Sequence, residues 1–387
     1  IDAIMGAESI TWLWEACRKA FNALLPMMNT QKLLQARLAT LASLGTYMLE
    51  DTEERRTVVR RAEAANAWFT VDNSMRALTQ IAKDWLNSKA LAEFVAPYRE
   101  RLETERSGEE EHLALVLAGN VPLVGLHDVL CAYIAGLDTQ IKLSDKDAPL
   151  MRWCIDFLRA NDTQAETLLH IVEQIQQPIT RVIATGSDNS ALYFEQYFGK
   201  YPNIIRRNRN SIAVLTGNET EEELMRLGAD IFRFFGLGCR SVSKIFVPKD
   251  YDFQLFMRTL DNYRDIINHL KYCNNFEYNR SIYLINSVPH LANDCLMVLE
   301  NASPLSRIAT LHYERYDKAK DLQERIKRDV DVLQCAVCED TRLRTKLQKN
   351  TPTLPFLPFG SSQSPRLQDF ADNIDTLQFL LLVTSDE

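Results

Sequence analysis

From residue 112 to residue 328, short apolar runs alternate with amphipathic stretches long enough to be helices. That rhythm constrains the fold more than any single residue does. Residues 112–118, 139–143, 168–172, 181–185 and 211–215 read as strands, with helices over 121–135, 148–161 and 190–198 between them. A second block follows: helices over 219–235 and 253–269, strands over 242–247, 281–285 and 308–313, and a charged helix over 317–328. Alternation at this spacing predicts an α/β chain with parallel sheets covered on both faces. Such sheets bind ligands at the carboxyl ends of their strands.

The flanking segments differ. Residues 31–107 carry apolar side chains at threes and fours (Leu33, Leu34, Leu38, Leu41, Leu44), which predicts helices, and 1–30 read the same way. Ser107-Gly108-Glu109-Glu110-Glu111 is a polar break. Pro352, Pro355, Pro358 and Pro365 make 351–365 an extended arm, and the apolar run 377–383 reads as a closing strand of the chain's own sheet or of a partner subunit's. The expected division is 1–30, 31–217, 218–350 and 351–387.

At 387 residues the chain is long enough for two or three cores. A formal net charge of -8 argues against nucleic acid and anionic membranes as partners. No apolar run reaches the ~18–20 residues that span a bilayer, and the stretch around Trp12 and Trp14 is broken by Glu15, Arg18 and Lys19, unlike a signal peptide. Eight cysteines without a disulfide-type spacing point to a reducing cytoplasm. Cys335-Ala336-Val337-Cys338 lacks the second ligand pair a zinc site needs, so it predicts buried thiols and no metal.

Four short segments carry chemistry. Cys239 closes Phe234-Phe235-Gly236-Leu237-Gly238-Cys239, a glycine-flanked turn before an apolar strand, where a nucleophilic thiol is well placed; a buried structural thiol is the alternative. Asn120, in Leu117-Ala118-Gly119-Asn120-Val121-Pro122, ends a strand either as an oxyanion donor or as a turn residue. In Ile141-Lys142-Leu143-Ser144-Asp145, Lys142 reaches a ribose or phosphate, or lies in solvent. Thr185-Gly186-Ser187-Asp188 enters a helix, suiting a pyrophosphate or simply supplying the cap. His127 and His290 read as packing histidines.

Together these segments resemble the aldehyde dehydrogenase superfamily. Within it, the chain is similar to the fatty acyl-CoA reductases that supply long-chain aldehyde to bacterial luciferase. The resemblance runs from Leu34 to Val383. It rests on 118–128, on Ile183-Ala184-Thr185-Gly186-Ser187-Asp188-Asn189, on Phe235 to Arg240, and on Pro358-Phe359-Gly360-Ser361-Ser362-Gln363 continuing through Asp369-Phe370-Ala371-Asp372 to Asp375-Thr376. It implies a Rossmann-type cofactor domain (31–217), an α/β catalytic domain (218–350), and a C-terminal arm that serves oligomerisation.

Cys239 then falls at the nucleophile and Asn120 at the oxyanion hole. Lys142 and Ser144 fall at the adenosine ribose, Thr185, Gly186 and Ser187 at the pyrophosphate, and Glu300 at the nicotinamide ribose. The general-base glutamate of hydrolytic members is replaced by Arg206-Arg207-Asn208-Arg209-Asn210-Ser211, whose arginines either attract an anionic cofactor or form a solvated turn.

The implied reaction is reduction of a fatty acyl-CoA to the aldehyde, with NADPH favoured over NADH. Asp145, three residues after Lys142, is placed to favour NADH instead. The implied partners are an acyl-activating protein synthetase and further copies of the chain. A cysteine acyltransferase or thioesterase, or a scaffold for the acyl-activating partner, are the competing readings. At an ordinary cysteine pKa near ~8.5 little thiolate exists at neutral pH, so the site is expected to lower it.

Overall fold

The computed structural model describes residues 30–104 and 111–382; the expected N-terminal extension lies outside the described residues. A helical layer comes first: α1 (Thr30–Leu49), α2 (Glu53–Ala65), α3 (Val71–Asp84), α4 (Ser88–Val95) and α5 (Arg99–Glu103). Leu34, Leu41, Leu44 and Met48 form the buried stripe of α1. Thr52, Thr70 and Asn87 cap α2, α3 and α4 through their side chains.

The first sheet is built from β1 (His112–Val116), β2 (Asp138–Lys142), β3 (Leu169–Ile171), β4 (Arg181–Thr185) and β5 (Asn203–Arg206). Its connecting helices are α6 (Leu126–Ala135), α7 (Ala148–Asn161), α8 (Thr163–Leu168) and α9 (Asp188–Phe198). The strands are parallel in the order β3-β2-β1-β4-β5, so the winding direction reverses between β1 and β4. Open α/β sheets leave a crevice at that reversal. Every residue of α6 is buried, and Gly136 at φ 71° closes it in the left-handed conformation.

The second sheet comprises β6 (Asn210–Val214), β7 (Val242–Pro248), β8 (Leu291–Ala292), β9 (Met297–Glu300), β10 (Thr310–Tyr316), β11 (Leu333–Cys338) and β12 (Phe356–Leu357). Its order is β12-β11-β6-β7-β10-β9-β8, with only β8 antiparallel. Around it lie α10 (Glu221–Phe232), started by a Thr220/Glu223 capping box, α11 (Gln254–Leu260), α12 (Leu270–Ile285), α13 (Ala319–Asp329) and α14 (Thr341–Asn350). The last helix, α15 (Thr376–Leu381), returns to the first unit, where Leu377, Leu380 and Leu381 join its core.

Several expectations are corrected. The run 377–383 is helical up to Leu381, capped by Asp375, and not a strand; Leu382 follows in a bend and Val383 lies outside the described residues. A short run whose five residues 379–383 are all apolar carries too little periodicity to separate the two forms. Arg181, buried in β4, donates to Phe379 O at 2.6 Å and to Leu382 O, satisfying carbonyls at that helix's end. Residues 281–285 are the last turns of α12, with Leu284 and Ile285 facing solvent. The strand expected over 211–215 exists as β6 but pairs in the second sheet, so the change of sheet falls between Arg206 and Asn210. The Cys335–Cys338 segment is a fully buried strand, and the proline-rich arm contributes the edge strand β12. Among the described residues no helix is long and apolar enough to cross a membrane.

Candidate active site

A cavity of about 630 Å³ opens at the carboxyl ends of β1 and β4 and reaches across to the second sheet. Asn120, Ser144, Thr185, Gly186, Ser187 and Cys239 all line it, although they come from both units. Lys142 and Glu300 are not among its lining residues, each being exposed at the end of its strand, whereas Lys146 does line it.

The turn that delivers Cys239 is unusual backbone. Phe234 (φ 52°), Phe235 (φ 58°) and Gly236 (φ 73°) follow one another in the left-handed region, which costs a non-glycine residue about 1–2 kcal/mol. Ring packing offsets that cost. Phe235 lies with its ring centroid 4.2 Å from His269 and 5.2 Å from Trp68, and both phenylalanines are buried. Gly236 needs its positive φ. At Gly238 a Cβ would make only ordinary contact, with Val121 at 3.4 Å.

Asn120 approaches from the first unit. Its Nδ2 donates to Leu237 O at 2.8 Å, two residues before Cys239, so the amide already sits against the thiol's loop. Its own turn is braced from behind: Leu123 adopts φ 59° and donates its N–H to the buried Asp147 Oδ2 at 2.8 Å. Burial pushes the Asp147 carboxyl well above its ordinary range. Cys239 O accepts from Ser211 Oγ at 3.0 Å, and that hydroxyl also lies 3.1 Å from Cys335 Sγ.

The thiol itself is half-buried, and burial pushes its pKa up rather than down. Arg240 pulls against that shift and Asp372 adds to it. The expected depression of the thiol pKa is therefore absent from the resting site.

On the other side, Ser187 caps α9 by accepting from Ser190 N at 3.2 Å while lining the cavity. The cap and the cavity-lining positions thus coincide. A Cβ on Gly186 would fall 2.7 Å from Ser190 Cβ, and one on Gly119 would fall 2.5 Å from Ser144 Oγ; both glycines keep the backbone open to the cavity.

The arginines at 206, 207 and 209 all line the cavity, but in different settings: Arg206 is buried, Arg209 half-buried and Arg207 exposed. Arg206 is buried, pairs with Asp128 at 2.6 Å and donates to Thr376 Oγ1 at 2.9 Å. Arg207 pairs with Glu195, and Arg209 donates to Leu333 O and pairs with Asp372. His127 is a packing histidine as expected: its Nε2 faces Leu367 O at 2.8 Å, and burial among Trp85, Phe94 and Phe370 pushes its pKa down. His290 bonds locally to Val288 O and does not line the cavity.

A second brace clamps the nucleophile's loop. Asp230 of α10 accepts from Gly360 N (2.6 Å), Ser362 N (3.0 Å) and Ser362 Oγ (2.8 Å). Gln363 continues to Ser241 Oγ, which accepts from Gly238 N at 3.2 Å. Burial raises the Asp230 pKa to about 6 against these bonds. A raised carboxyl pKa means the fold holds the proton more tightly than the unfolded chain, so this group destabilises once ionised. As pH falls through about 6 toward the ordinary aspartate value, the fold is expected to gain about 3 kcal/mol from Asp230. Urea unfolding of wild type and Asp230→Asn checks this: the difference between them should move in favour of wild type on going from about pH 8 to about pH 5.

No protein-family model matches the chain, and no curated protein matches it in sequence. Solved structures do share its fold. Aldehyde dehydrogenase 21 from Physcomitrella patens, in complex with the reaction product succinate, aligns with a TM-score of 0.64 at 12% identity over 93% of this chain and 86% of its own. The indole-3-acetaldehyde dehydrogenase AldA of P. syringae, in complex with NAD+, gives 0.65 at 12% identity over 93% and 83%. Aldehyde dehydrogenase C from Pseudomonas syringae, in complex with NAD+ and octanal, gives 0.62 at 12% identity over 85% and 77%. The chain is built on the aldehyde dehydrogenase fold, with a Rossmann-type unit and a second α/β unit that carries Cys239.

Proposed function

We propose that the chain is a nicotinamide-dependent oxidoreductase that reduces a fatty acyl thioester, in the first instance an acyl-CoA, to the aldehyde through an acyl-Cys239 intermediate. The observation that carries this reading is the meeting of Cys239, Asn120 and the Gly186–Ser187 helix entrance in one cavity. The stretch 206–211, where the sequence resemblance leads one to look for a water-activating carboxylate, holds none.

The cavity suits a nicotinamide dinucleotide. The α9 N-terminus and Gly186 admit a pyrophosphate, with Thr185 and Ser187 beside it, and Gly119 leaves room next to Ser144. When bound, the coenzyme supplies a hydride. Lys146 faces the cavity while Asp145 does not, which favours a 2′-phosphate and hence NADPH. Lys142 and Glu300 are assigned no contact. In this reading the first unit binds coenzyme and the second carries the chemistry, working with an acyl-activating enzyme and as a homo-oligomer. Lys146→Ala should then raise the KM for NADPH about tenfold while leaving that for NADH nearly unchanged, as steady-state kinetics with both coenzymes would show.

The chain's own residues act in sequence. Cys239 sulfur bonds the acyl carbon while Asn120 and the Cys239 N–H hold the oxyanion. The bond to the CoA sulfur breaks, and CoA leaves as the thiol with the proton that Cys239 gave up. After hydride reaches the acyl carbon, the same donors hold the thiohemiacetal oxyanion. Its collapse releases the aldehyde, and the Cys239 thiolate regains a proton from solvent.

The test is a panel of acyl-CoAs with NADPH or NADH, following coenzyme absorbance and aldehyde together. Coenzyme oxidation matched by aldehyde supports the reading. CoA release without coenzyme oxidation replaces it with an acyltransferase or thioesterase, and silence across the panel points to a missing acyl-delivering partner or to a scaffold role.

A further inference from the structure

We propose that Asp372 is the proton acceptor for Cys239, taking the thiol proton as sulfur attacks the acyl carbon and returning it to the leaving sulfur; the assignment rests on the thioester reading above. Among the described residues the cavity wall carries two carboxylates, Asp128 and Asp372. Asp128 is consumed by Arg206 at 2.6 Å. His127, the wall's one imidazole, is boxed by three rings and bonded to Leu367 O. Asp372 makes a longer pair, with Arg209 Nε at 3.2 Å from Oδ1, and lines the same space as the thiol.

Its backbone is held in a costly conformation. Asp372 and Asn373 both sit at φ 57°, in the left-handed region, and such strain persists only where the surroundings over-determine it. Here they do. The buried Gln334 of β11 accepts from Asp372 N at 2.8 Å and donates to Phe370 O at 3.2 Å. Arg240, the residue after the nucleophile, donates to Asp369 O at 2.9 Å, so the two loops are tied together. The groups facing the carboxylate are Arg209, Arg206 and Asp128. Burial outweighs the two arginines and raises the Asp372 pKa, with Asp128 adding to the rise. The carboxylate in turn is felt at Cys239. A thiol kept protonated by burial needs a base at the moment of attack, and Asp372 is the carboxylate that shares the cavity wall with Cys239 on a loop tied to the residue after it.

The step balances without redox chemistry. The S–H proton moves to the Asp372 carboxylate as the sulfur–carbon bond forms. As the bond from the acyl carbon to the CoA sulfur breaks, Asp372 gives that proton to the departing sulfur.

p-Nitrophenyl acetate tests the base role independently of the natural acyl donor, because its leaving group needs no proton. The pre-steady-state burst of p-nitrophenolate reports acylation of Cys239. Asp372→Asn, which tolerates the left-handed backbone and keeps an oxygen for Arg209, should slow the burst about 100-fold near neutral pH. Its rate should then climb with the thiolate fraction as pH rises, whereas wild type levels off. Asp372→Gly should be equally slow and be restored saturably by added formate. A burst in Asp372→Asn within about threefold of wild type with the same pH profile, or an Asp372→Gly that formate does not restore, overturns the assignment. A wild type that shows the burst but ignores every acyl-CoA removes the thioester reading while still testing Asp372.

Discussion

Cys239→Ala should abolish both acyl transfer and aldehyde formation, lowering kcat by about a million-fold, the scale on which removal of a covalent nucleophile is felt. No described thiol stands ready to substitute. Cys131, Cys154, Cys295, Cys335 and Cys338 are buried, and Cys273 does not line the cavity. Cys335, joined to the Cys239 carbonyl through Ser211, has its own thiol pushed up to about 11 by burial and sits inside a sheet. The substitution removes one sulfur from a half-buried position, so the melting temperature should stay within a few degrees of wild type. Rapid-quench measurement of CoA release, with thermal unfolding on the same preparations, checks both halves. Loss of activity with an unchanged melting transition is the expected pair.

Asn120→Ala should lower kcat by about 100- to 1,000-fold, equivalent to about 3–4 kcal/mol of transition-state stabilisation, with a much smaller change in KM. In the resting site the amide rests on Leu237 O at 2.8 Å. Losing that exposed bond costs the fold only about 1 kcal/mol. The catalytic loss arises elsewhere. In the proposed mechanism the oxyanion exists only once the acyl carbon is tetrahedral, and without the amide it would keep a single backbone donor. Asn120→Asp keeps the shape but sets a negative charge beside the oxyanion, so it should be at least as damaging. Steady-state kcat and KM for the two variants separate this from a binding defect: a rise in KM alone would make Asn120 a substrate contact instead.

Periodicity located most elements but not their partners. β4 and α7 fall on the residues that the alternation of apolar runs indicates, because each is bounded by a clear change of pattern. β6 was visible as a strand, yet nothing in five local residues tells which of two sheets they join; that choice is made by pairing with β7 and β11. α15 was hidden because a short, mostly apolar run fits either form until its packing on the first core is known.

The same limit applies at the site. Cys239, Asn120 and Gly186–Ser187 line one cavity; glycines and strand ends mark these segments locally, while their roles were implied only by the family resemblance. Lys146 lines the cavity and Lys142 does not, a difference of four residues that the local pattern at a strand's end does not encode. The left-handed backbone at Phe234 and Phe235 is set by Trp68 and His269, and that at Asp372 by Gln334. All of these partners lie far away in sequence. Asp372 stood within a segment that could be quoted for its likeness, but its place on the wall follows from tertiary contacts alone.

The central claim is a covalent acyl group on Cys239 that reduced coenzyme discharges as aldehyde. Intact-protein mass spectrometry after mixing with a long-chain acyl-CoA, before and after adding NADPH, tests it most directly. The account predicts one acyl adduct, mapped to Cys239 and absent from Cys239→Ala, that disappears on NADPH addition with release of an equal amount of aldehyde. An adduct on another residue, or one that NADPH leaves in place, would contradict it.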